Sequence, residues 1–126
     1  MPNITISSTV RSYPRLPFND MKNIIAGKKY QLSLVFVGAT RARKLNSDTR
    51  GKTYVPNVLS FPLSDTAGEI YITPAIAKSE ARKFNLTYQG YVGYLFIHGL
   101  LHLKGFDHGP KMEKLEQTYL KKFQLT

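Results

Sequence analysis

The chain has 126 residues, with 18 Lys and Arg against 8 Asp and Glu, a formal net charge of +10, 42% hydrophobic residues and no cysteine. That apolar content at that length suits one modest core, so one domain over residues 1–126 is expected. Disulfides and thiolate metal sites are excluded, and no run reaches the roughly 18 apolar residues of a membrane span. MPNITISSTV lacks the basic flank and apolar stretch of a secretory signal, so a cytoplasmic protein is expected. The excess charge points to a polyanionic partner such as nucleic acid. Residues 1–60 hold ten of the basic residues and only two acids, Asp20 and Asp48, which makes that half the expected partner face.

In chain order, residues 3–8 (NITISS) and 31–37 (QLSLVFV) read as strands from their alternation and β-branched content. Between them, residues 17–26 form a predicted helix capped by Asn19 or Asp20 and closed by Gly27. A short basic helix over residues 41–46, capped by Thr40, is followed by the turn chemistry of Asp48-Thr49-Arg50-Gly51. Residues 55–63 are extended, and Pro56 and Pro62, which lack ladder donors, mark an edge strand. Residues 69–72 are a fourth strand. Thr73 and Pro74 then open a helix to about Phe84. A long apolar helix covers residues 88–103, and an amphipathic one runs from Pro110 to about Phe123 through Met112, Leu115, Tyr119, Leu120 and Phe123. The expected fold is α+β, a small mixed four-stranded sheet with four or five helices.

All three histidines lie within HGLLHLKGFDH, residues 98–108. On a helix, His98 and His102 stack one turn apart and can share an ion. Gly105 can adopt positive φ, end the helix and let His108 reach the same point from a loop. Three nitrogen ligands leave a fourth tetrahedral position open, the arrangement of catalytic zinc, at one ion per chain. Nickel, cobalt and iron also suit imidazole. Asp107 is either a partner orienting a ligand histidine or a turn residue. The histidine spacing equals that of the metzincin peptidases, but their general-base glutamate falls at Gly99 here. Tyr88, Tyr91 and Tyr94 are candidates for base stacking, although aromatics at helical spacing are more often core.

The complete HGLLHLKGFDH motif and NVLSFP, residues 57–62, resemble the hallmarks of the YbeY family of metal-dependent endoribonucleases. Arg50-Gly51-Lys52 and Gly68-Glu69-Ile70 are weaker correspondences, and the likeness spans about residues 31–120. It departs from the family at Pro56, where threonine is usual. The resemblance implies an edge strand bordering a cleft with the three-histidine metal at its floor. It implies single-strand RNA cleavage in small-subunit rRNA 3′-end maturation, ribosome assembly and quality control, with no DNA substrate. On this reading Arg50 and the histidines are catalytic, and Arg50, Lys52, Ser60, Arg41, Arg43 and Lys44 contact RNA. The alternatives are a non-catalytic metal-binding ribosome assembly factor and a metallopeptidase.

Overall fold

The computed structural model describes residues 3–126. The chain runs β1 (Ile4–Ser8), α1 (Phe18–Ala26), β2 (Gln31–Phe36), α2 (Ala39–Arg50), β3 (Val58–Ser64), β4 (Ala67–Ile72), α3 (Pro74–Glu80) with a 3-10 turn over Ala81–Phe84, α4 (Tyr88–Leu103) and α5 (Pro110–Lys122). The fold is α+β. Its sheet has the order β1-β2-β4-β3, in which β1, β2 and β4 are parallel and β3 pairs antiparallel with β4 at one edge.

Period-two alternation sends Leu32, Leu34 and Phe36 of β2 and Ile70 and Ile72 of β4 into the core, leaving Ser33, Val35, Glu69 and Tyr71 on the other face. Against the apolar face lies α4, with Val92, Phe96, Ile97 and Leu100 wholly buried and Phe96 meeting Phe18 of α1 edge-on at 5.0 Å. A helix buried on nearly all sides must be apolar all round, which is how residues 88–103 read in sequence. Its axis lies close to the sheet because of Gly99. A Cβ there would stand 3.1 Å from Ile70 Cδ1.

The helix boundaries of α4 follow from both caps. Thr87 Oγ1 accepts from the Gly90 amide at 3.0 Å. At the other end Gly105 has φ +94°, its amide bonds to His102 O at 3.0 Å, and the Phe106 amide bonds to Leu101 O at 3.0 Å. That pair of bonds is a Schellman motif, and it reverses the chain after His102.

The largest revision to the predicted elements concerns α2, which continues past Asn46 to Arg50 and absorbs the expected turn. Lys44 Nζ pairs with Asp48 Oδ2 at 3.1 Å one turn on, Thr49 Oγ1 donates to Leu45 O at 2.7 Å, and Gly51 at φ +66° closes the helix. Thr40 lies inside α2 rather than at its cap, which is Gly38, and Asn19 and Asp20 lie inside α1 behind Pro17. The edge strand starts at Val58 rather than residue 55, and β4 starts at Ala67 rather than residue 69. Lys22 is wholly buried, and its Nζ donates to Gly27 O at 3.2 Å and Lys28 O at 3.1 Å, at the C-terminal end of α1. One of the ten basic residues of the first half is therefore spent inside the fold. No helix among the described residues is long and apolar enough to cross a membrane.

Candidate metal centre

His98 and His102 project from successive turns of α4, and the Gly105 reversal returns His108 to them. One ligand atom from each of the three lies within 4.8 Å of the others. The ring centroids stand 4.6 Å apart for His98 and His102, 5.0 Å for His98 and His108, and 4.6 Å for His102 and His108.

Two outer contacts fix which nitrogens face inward. His102 Nδ1 lies 3.0 Å from Phe106 O, and because a carbonyl only accepts, Nδ1 carries the proton. His98 Nδ1 donates to Glu116 Oε2 on α5 at 2.6 Å. In the neutral form of each ring Nε2 is then a lone pair, and the two Nε2 atoms face each other at 3.1 Å. Two lone pairs at that separation repel unless a cation lies between them. Nitrogens on a tetrahedral ion at about 2.0–2.1 Å would sit about 3.3 Å apart, so the donor set fits one divalent ion. Burial holds the His102 imidazole below the usual histidine range, and the neighbouring His98 and His108 push the same way. A neutral imidazole is the form that ligates metal.

The three rings form one wall of a cleft of about 470 Å³ whose other walls include Val58–Phe61 of the edge strand, Arg50 and Tyr54. Arg50, at the end of α2, donates to Asn46 Oδ1 at 3.3 Å and Tyr54 Oη at 3.4 Å. The backbone at Asn57 is held as well. Its Oδ1 accepts from the Val58 amide at 2.7 Å, and its Nδ2 donates to Glu80 Oε1 at 3.2 Å.

Of the residues singled out in sequence, the cleft brings together Arg50, Ser60 and the three histidines. Lys52, Arg41, Arg43 and Lys44 are exposed and do not line it. Arg41 and Lys44 border a separate groove with Tyr71. Asp107 is exposed and orients no histidine, and Glu116 does so instead. Tyr91 is buried and donates to Glu80 Oε1 at 3.0 Å, while Tyr94 stacks with Tyr91 and Phe84, so this row is core packing and not a base platform. Sequence reasoning missed Glu116, Asn46 and Asn57. For Glu116 the signal was present: it occupies an apolar position of α5, one turn from both Met112 and Leu120.

Comparison with known proteins agrees with this architecture. The family model described as Endoribonuclease YbeY matches residues 10–124. A relative from Chromobacterium violaceum named Endoribonuclease YbeY is 36% identical over 107 residues, 75% of this chain and 64% of its own length. One of the same name from Bdellovibrio bacteriovorus is 42% identical over 80 residues, 62% of this chain and 53% of its own. The chain thus spans between half and two thirds of the length of these relatives. A solution structure of a Thermotoga maritima protein superposes with a TM-score of 0.70 at 29% identity, covering 95% of this chain and 88% of that one.

Proposed function

The chain belongs to the YbeY family, and on that ground we propose that residues 1–126 act as one unit, a single-strand-specific, metal-dependent endoribonuclease. Its place is the maturation of small-subunit rRNA 3′ ends, ribosome assembly and quality control in the cytoplasm, with RNA and the small ribosomal subunit as partners. The observation that carries the proposal is the convergence of three imidazoles, one ring nitrogen of each within 4.8 Å of the others, on the wall of a cleft that also holds Arg50 and Ser60. His98, His102 and His108 hold one zinc ion per chain. When bound, zinc supplies a Lewis acid for a phosphodiester oxygen or a water.

The chain's own groups do the rest. Arg50, held by Asn46, presents a fixed guanidinium to charge developing on the reacting phosphate. Ser60 hydrogen-bonds the sugar or phosphate of the bound strand. Lys52, Arg41, Arg43 and Lys44 steer the polyanion toward the cleft from the exposed side of the same segment. DNA is not a substrate on this reading. A metallopeptidase is disfavoured because the position of its glutamate, Gly99, is packed against Ile70.

A second reading, a non-catalytic metal-binding assembly factor, is favoured by one observation: among the described residues no carboxylate lines the cleft to serve as general base. The two readings separate on metal content and single-strand RNA cleavage, measured before and after chelation and in folded His102→Ala. About one zinc per chain with chelator-sensitive cleavage, lost in the variant while RNA affinity persists, supports the enzyme. Metal without cleavage supports the assembly factor. A 2′,3′-cyclic phosphate product would identify the RNA's own 2′-hydroxyl as nucleophile.

A further inference from the structure

Tyr54 is 53% exposed, a large aromatic side chain on the surface that lines the same cleft as the three histidines. It is not loosely held. Its backbone carbonyl accepts from Asn46 Nδ2 at 3.0 Å, and its hydroxyl accepts from Arg50 Nη1 at 3.4 Å. The same arginine nitrogen donates to Asn46 Oδ1 at 3.3 Å, and Asn46 is wholly buried. One interior amide therefore anchors the Tyr54 backbone and the Arg50 guanidinium at the cleft rim, and the guanidinium in turn holds the hydroxyl of the ring. Unlike Tyr91 and Tyr94, whose faces are taken up by each other and by Phe84, Tyr54 stacks on no other ring among the described residues.

An exposed ring held beside a guanidinium suits one nucleotide at two points, base on the ring and phosphate on the arginine. We infer that Tyr54 is a base-stacking platform that holds the nucleotide whose phosphate lies against Arg50. This rests on the RNA reading above and deepens it. Because a paired base has both faces covered by its neighbours in the duplex, such a platform accepts only unpaired strands, and it supplies a physical source for single-strand selectivity. Stacking tolerates every base, because each has a π-face.

The test measures Kd by fluorescence anisotropy at one fixed salt concentration. It uses the full chain as purified and a short 2′-O-methylated single-stranded oligonucleotide whose integrity is checked after binding. Tyr54→Phe, Tyr54→Ala and Tyr54→Leu are compared with the parent chain, each shown folded by circular dichroism. A stacked base is worth about 1–3 kcal/mol, so Ala and Leu should weaken binding about 5- to 150-fold while Phe stays within about twofold. Equal binding by all three variants would overturn the platform while leaving the RNA reading intact. So would a loss in Phe as large as that in Ala, which would assign the contact to the hydroxyl. Failure of the parent chain to bind RNA at all would instead remove the RNA reading and, with it, this inference.

Discussion

Removing the Glu116 carboxylate should loosen the metal without unfolding the protein. The bond from His98 Nδ1 to Glu116 Oε2 is 2.6 Å long between side chains only 17% and 5% exposed, so water competes little for either partner. A bond to a buried carboxylate is roughly twice as strong as a neutral one and raises the basicity of the opposite ring nitrogen. Loss of such an orienting partner costs about 10- to 100-fold in metal affinity, or about 1.4–2.7 kcal/mol. Glu116→Gln retains a neutral acceptor and should fall near the lower figure. Glu116→Leu retains none and should fall near the upper one. Glu116→Leu places an apolar side chain between Met112 and Leu120 on the buried face of α5 but leaves the His98 Nδ1–H without its acceptor, so its melting temperature should fall by no more than the equivalent of about 1–3 kcal/mol while the protein stays folded. Zinc affinity by competition with a chromophoric chelator gives the answer. A folded Glu116→Leu that binds zinc within twofold of the parent chain would refute the orienting role.

Two further outcomes follow from the same geometry. The His102 imidazole titrates below its unfolded value of 6.5, so between the folded value and 6.5 the unfolded chain holds more protons than the folded one. His102 thus contributes stability to the metal-free protein that is present above 6.5 and lost as pH falls through the folded value. Urea midpoints of chelated protein should decline over that window more steeply than those of His102→Gln, and parallel profiles would count against it. At Gly99, alanine should be nearly neutral, because about 1 kcal/mol of helix propensity offsets crowding against Ile70. Gly99→Glu should cost about 3 kcal/mol or more in thermal unfolding and yield no peptidase, since its carboxylate would be forced against an apolar sheet face. A stable, proteolytic Gly99→Glu would contradict the packing argument.

Much of the site was legible in sequence because its central part is local. Two ligands lie on one helix and the third follows a glycine reversal, all within eleven residues, and α4 spans residues 88–103 as predicted because Thr87 and Gly105 cap it unambiguously. The supports were less legible because they are contacts across the fold. Glu116 reaches His98 from 18 residues away and Asn57 reaches Glu80 from 23, so the period of α5 marks Glu116 as buried but no periodicity names the partner of either. The end of α2 was misread for a different reason. Asp48, Thr49 and Gly51 favour turns, but the same residue types also finish helices through an i,i+4 ion pair, a back-bonded hydroxyl and a left-handed glycine. Arg50 accordingly stands at a helix terminus and not in a loop, where its direction is set by Asn46 one turn earlier.

An unpaired sheet edge is ordinarily a hazard, since its free amides and carbonyls can recruit the same strand from another copy of the chain. Here β3 is such an edge, yet Pro56 precedes it, Pro62 interrupts it, and the register shifts between Pro62 and Ser64. What is left as regular edge is Val58–Phe61, and those four residues are the ones that border the cleft. With the histidine rings, Arg50 and Tyr54 lining the same cleft, that stretch is too brief for a flat β-strand to zip along. The two prolines and the register shift that shorten the edge against self-pairing thus leave its regular part as the stretch that lines the cleft.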